Sequence, residues 1–221
     1  MSMFETFTVQ VARTLPVLVL ADVSGSMRDD NKIGILNLSL REMANAFARE
    51  DDTVGEIQLA VVAFGGDKAW VHVPFTPASV VEVPELESNG KTPMGKAFRL
   101  AQELIENVSI VPKRSYQPTI VLVSDGRPTD DDWSVALEEL LASERASRAR
   151  RLAVGIGTAL EGEAEEVLKR FVGDQVGGLI QADDVDIIPK FFRWVTMSVT
   201  ARLTSASPDA IPKLTLDDLD Y

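Results

Sequence analysis

Five residues with oxygen-bearing side chains stand where the chain leaves a strand or enters a helix. Asp22, Ser24 and Ser26 alternate in the run Asp22-Val23-Ser24-Gly25-Ser26-Met27, Thr92 lies in Gly90-Lys91-Thr92-Pro93-Met94-Gly95, and the last is Asp125 in Ser124-Asp125-Gly126. Alternation lets the first three oxygens face one point, and Gly25, lacking a Cβ, is expected to bend the backbone sharply through left-handed conformations between the serines. Two carboxylates and three hydroxyls, with no nitrogen or sulfur donor, suit a hard divalent cation such as Mg²⁺ or Mn²⁺ better than Zn²⁺. Each residue also has a plainer explanation. The serines could shape a turn, Thr92 before Pro93 fits a helix N-cap, and Asp-Gly is a common turn pair. Their joint occurrence at the ends of successive elements is what points to a metal site.

The elements that must position these residues follow from hydrophobic periodicity. Leu15 to Ala21 is apolar on both faces, as a central parallel strand buried between helix layers would be. Ile33, Leu36, Leu40, Met43 and Phe47 recur at helical spacing. Ile57 to Phe64 reads as a second strand, Gly65-Gly66-Asp67 as a tight turn, and Ala69 to Val73 as an antiparallel edge strand. A helix over Pro93 to Glu106 comes next, with Thr92 as its expected N-cap, then a strand at Thr119 to Val123 and a helix from Trp133 to Ala149. Arg151 to Ile156, Glu163 to Phe171, Gly178 to Gln181 and Val185 to Leu203 continue as strand, helix, strand and helix. Alternating strands and helices predict an α/β fold, doubly wound, with a mostly parallel central sheet, one antiparallel edge strand and helices on both faces. Ligands of such sheets bind at the carboxyl ends of strands where the strand order reverses, so Asp22 and Asp125 are expected to be neighbours there.

Composition narrows the rest. The 221 residues, 45% hydrophobic and 25% charged, suit one globular domain, here 1–204, followed by an acidic, Pro-containing tail, 205–221, expected to be mobile or to offer an aspartate to a neighbouring molecule. With 22 basic against 34 acidic residues the net charge is −12, which disfavours nucleic acid as a partner. Arg145, Arg148, Arg150 and Arg151 form the densest basic group, expected at a helix end as solvated, dipole-complementing charges. The chain has no cysteine, no segment of roughly 18 consecutive apolar residues and no signal-peptide pattern, all consistent with the cytoplasm.

The pattern Asp22-x-Ser24-x-Ser26, then Thr92, then Asp125 resembles the metal-ion-dependent adhesion site (MIDAS) of the von Willebrand factor A family, and the order of elements is similar from about Leu15 to Leu203. Within the family the chain looks most like bacterial tellurite-resistance-associated (TerY-type) proteins. The resemblance implies a Mg²⁺- or Mn²⁺-dependent protein-protein interaction module, not an enzyme, with some carboxylate contacts to the metal running through water. It implies an open metal position that accepts a partner's Asp or Glu, a role in tellurite or stress resistance, and kinase- or phosphatase-like protein partners. Met27, Arg127 and Trp133 are the expected rim of the partner contact.

The competing function is a Mg²⁺-dependent phosphotransfer enzyme of the haloacid-dehalogenase type, which also places an Asp after the first strand but follows it with a second Asp as acid/base. Here that second position is Ser24. A receiver-like phosphoacceptor would need an acidic pair that is missing. His72, the single histidine, is expected on the surface of the edge strand, no nucleophile elbow surrounds the serines, and Trp194 sits at core spacing.

Overall fold

The computed structural model describes residues 13–50, 55–157, 162–175 and 177–205. Six strands form one sheet in the order β3-β2-β1-β4-β5-β6, where β1 is Thr14–Asp22, β2 Glu56–Gly65, β3 Lys68–Pro77, β4 Thr119–Ser124, β5 Arg150–Ile156 and β6 Leu179–Ala182. All pairings are parallel except that of β3 with β2. The helices are α1 (Lys32–Glu50), α2 (Met94–Glu106), α3 (Trp133–Ala142), α4 (Glu163–Val172) and α5 (Ile187–Thr204). Among the described residues no helix is long and apolar enough to cross a membrane.

Apolar residues on both faces make β1 a strand that must be covered twice. Leu15, Val17, Val19 and Ala21 pack with Leu36, Leu40 and Phe47 of α1 and Phe191 and Val195 of α5. Leu18 and Leu20 join the opposite core with Phe98 of α2, Leu137 and Leu140 of α3, and Phe171 of α4. Burying each such side chain contributes about 1.5–3 kcal/mol, so the central strand anchors both layers. Pro16 is tolerated within it because pairing with β4 starts only at Val17, leaving the missing N–H outside that ladder.

Three expectations are corrected. The helix from Trp133 stops at Ala142 instead of Ala149, and a single 3-10 turn, Ala146–Arg148, follows. The cause is tertiary. The Glu106 carboxylate accepts the amides of Arg145 at 2.7 Å and Ala146 at 3.0 Å, and the Arg145 guanidinium donates to the carbonyls of Ile105 (2.7 Å), Val111 (2.6 Å) and Pro112 (3.1 Å). Burial alone would raise the Glu106 pKa, but these amides outweigh it and the net shift is downward. Of the arginine group only Arg148 is an exposed charge at the end of a helical turn: Arg145 closes the carboxyl end of α2, and Arg150 and Arg151 belong to β5, with Arg151 Nε donating to the Phe171 carbonyl at 2.7 Å. Third, Thr92 does not cap α2; Pro93 holds that position, with no side-chain capping bond. The expectations for the tail fall on residues 206–221, outside the described residues.

Candidate functional site

The sheet order reverses at β1, which has β2 on one side and β4 on the other. Its register with β4 pairs Ala21 with Val123, so the carboxyl ends of the two strands lie side by side and bring Asp22 next to Ser124 and Asp125. Asp22 is 0% exposed. Its Oδ1 accepts the Ser24 amide at 2.8 Å and its Oδ2 accepts the Ser124 hydroxyl at 2.6 Å. Ser26 Oγ lies 3.2 Å from Ser24 Oγ and donates to Asp125 Oδ1 at 2.7 Å. The other oxygen of Asp125 accepts Lys32 Nζ at 2.8 Å. Burial, opposed by the Ser124 hydrogen bond and reinforced by the neighbouring charge of Asp125, pushes the Asp22 pKa up to about 6.

Backbone stitching fixes the segment that carries Thr92. Asn89 donates to the Val23 carbonyl at 2.7 Å, Gly66 donates to Asn89 O at 2.7 Å, and Gly25 donates to Gly90 O at 2.9 Å. Gly25 is therefore needed for close approach, not for a left-handed bend: a Cβ there would sit 3.3 Å from the Gly90 oxygen. Gly90 is the left-handed residue of this crossing, at φ 64°. Thr92 is bonded to Thr129 through its backbone, N to Oγ1 at 3.0 Å and O from the Thr129 amide at 2.9 Å. Its own hydroxyl faces Gly126, where a Cβ would lie 3.9 Å away. Farther along the same segment, Asn37 of α1 donates to Leu86 O at 3.0 Å and accepts the Leu86 amide at 2.8 Å, pinning a stretch that has no regular structure of its own.

The structure thus gathers Asp22, Ser24, Ser26 and Asp125 into one hydrogen-bonded cluster, with Thr92 across Gly126. Among the described residues no three carboxylate, histidine or cysteine side chains gather to hold an ion; here the remaining donors are hydroxyls. The rim differs from expectation. Arg127 is exposed, but Met27 is 0% and Trp133 6% exposed, so neither offers a surface to a partner. Met27 packs into the α1 core, while Trp133 lies against Gly95, donates to Glu163 Oε1 at 2.8 Å and carries the Arg170 guanidinium 5.1 Å above its ring. His72 bonds the Pro84 carbonyl at 2.9 Å on β3. Lys32 and Ser124 were missed as functional candidates. Ser124 was legible in principle, since it precedes Asp125 at a strand end, whereas no spacing rule points from Asp22 to a lysine ten residues on.

A family profile described as the von Willebrand factor type A domain matches residues 17–127. The chain belongs to that family. Domains of the family are commonly metal-dependent interaction or adhesion modules and are generally not enzymes. Solved structures agree on the fold. A von Willebrand factor type A protein from Catenulispora acidiphila is 21% identical with TM-score 0.61, covering 85% of this chain and 42% of that one. The pilus adhesin SpaC from Lactobacillus rhamnosus GG, in its open conformation, is 12% identical with TM-score 0.69, covering 88% and 31%. Proximal thread matrix protein 1 from the mussel byssus, solved with a zinc-occupied MIDAS motif, is 14% identical with TM-score 0.61, covering 86% and 48%. The von Willebrand factor type A domain described here therefore spans less than half the length of these proteins. Comparison with curated protein sequences finds no match.

Proposed function

We propose that this domain binds one divalent cation, Mg²⁺ or Mn²⁺, through Asp22, Ser24, Ser26, Thr92 and Asp125, and uses it to dock a partner protein through an Asp or Glu side chain. The observation that carries this reading is the convergence of two buried carboxylates and the serine hydroxyls at the sheet's reversal point. The donor set fits such an ion: it is all oxygen, and Asp22 is held without solvent even though burial disfavours its charge. When bound, the ion supplies an electron-poor position that a partner's carboxylate can complete. The protein residues around it do the positioning. Ser124 and the Ser24 amide fix Asp22, Ser26 fixes Asp125, and the Gly25–Gly90 crossing brings the Thr92 segment against them. Against phosphotransfer, the position two residues after Asp22, where a haloacid-dehalogenase-type enzyme carries its second Asp, is Ser24, whose amide donates to Asp22 Oδ1.

The resemblance to tellurite-resistance proteins extends the proposal to a cytoplasmic stress-resistance system with kinase- or phosphatase-like partners and with Arg127 at the contact. The absence of cysteine supports that compartment. The likeness to a pilus adhesin is one of fold and does not carry location. The test is capture of partners from a lysate of the source cell by immobilised protein, with Mg²⁺ and with excess chelator, beside Asp125→Ala. Partners that require both the metal and Asp125 support the proposal; partners held equally well in chelator overturn it.

A further inference from the structure

We propose that Lys32 is a tethered counter-cation of Asp125, which weakens divalent-ion binding and leaves the loaded site with a net positive charge suited to an anionic partner. The inference rests on the metal reading above and concerns a residue that reading does not use. Lys32 Nζ lies 2.8 Å from Asp125 Oδ2, with side-chain exposures of 12% and 0%. Lysine seldom gives up water to this extent without a specific partner. Its position also runs against the helix it belongs to. Lys32 is the first residue of α1, where the helix dipole disfavours a positive charge. Just before it, Asp30 and Asn31 take left-handed backbone at φ 53° and 58° as the chain turns into the helix. The attraction that places the ammonium therefore comes from Asp125.

Counting charges gives the consequence. Asp22, Asp125 and Lys32, each in its charged form, sum to −1, so a divalent ion brings the cluster to +1. Without the lysine the same cluster would run from −2 to neutral. A lysine contacting Asp125 thus opposes the entering cation, and after loading it leaves an uncompensated positive charge that only an incoming anion neutralises. Charges a few ångströms apart in a site with little water interact well above thermal energy, so the effect is measurable.

The test is isothermal titration of the folded protein with Mn²⁺ alone, comparing wild type, Lys32→Met and Lys32→Arg, with melting curves in chelator confirming that each variant folds. Lys32→Met is expected to bind Mn²⁺ about tenfold or more tightly than wild type, while Lys32→Arg, which keeps the charge, stays close to wild type. If Lys32→Met does not fold, Lys32→Gln carries the same comparison. Folded Lys32→Met or Lys32→Gln that binds Mn²⁺ no more tightly than wild type overturns the proposal and leaves the metal reading standing. Failure of every protein to bind Mn²⁺ at millimolar concentration overturns the metal reading, and this proposal with it.

Discussion

Replacing Asp22 by Asn should stabilise the metal-free protein above pH 6 and abolish its response to metal. In the folded chain Asp22 holds its proton up to about pH 6, against 3.8 for the ordinary group. Between those values the folded state binds more protons than the unfolded state, so this group's contribution to stability declines as pH rises through the window and is constant above it. A shift of about two units corresponds to about 3 kcal/mol. For a chain of this size that is on the order of 6–12 °C in melting temperature. Asn keeps the geometry: its oxygen can accept the Ser24 amide, and the Ser124 hydroxyl can rotate to accept from the new NH₂. The assay is chemical denaturation in chelator from pH 4 to pH 8, read as the difference between wild type and variant so that other carboxylates cancel. That difference should be near zero at pH 4 and approach its full value by pH 7. A variant less stable than wild type at pH 8 by an amount independent of pH would refute the argument.

Saturating Mg²⁺ or Mn²⁺ should raise the melting temperature of wild type, by about 2.7 kcal/mol of added stability at a hundred times the dissociation constant, and should leave Asp125→Ala unmoved in differential scanning fluorimetry. Ser26→Ala and Thr92→Ala should each weaken Mn²⁺ binding in calorimetry while circular dichroism stays native, because each removes one oxygen from a small ion intolerant of lost ligands. Asn37→Leu should cost about 2 kcal/mol or more in urea denaturation, since it leaves the Leu86 amide and carbonyl without their partner. Arg145→Met should cost a similar amount, about 1–3 kcal/mol, by exposing the carboxyl end of α2.

The fold was legible where local pattern and tertiary demand coincide. Strands β1, β2 and β4 are apolar on both faces because helices cover them twice, and that need is written into every residue of Leu15 to Ala21. The end of α3 was not legible. The residues from Ser143 to Ala149 do not forbid a helix, and what stops it is Glu106 and Arg145 meeting across two elements. The site shows the same division. The convergence of Asp22, Ser24, Ser26 and Asp125 was legible from type and spacing, since loops at a reversal point must bring strand ends together. Exposure at the rim was not, because Met27 and Trp133 are apolar residues that the core claims first. Lys32 went unnoticed because its partner lies 93 residues away.

The central place of β1 has a consequence during synthesis. Its first neighbour, β2, emerges from the ribosome soon after it, but β4 begins at Thr119, about a hundred residues beyond Asp22. At roughly 5–20 residues per second the β4-facing edge of β1 waits on the order of 5–20 s for its partner. During that interval a nascent chain presents an apolar strand edge able to pair with other chains. Chaperone occupancy on translating ribosomes should therefore rise once β1 is exposed and fall once Ser124 has cleared the exit tunnel.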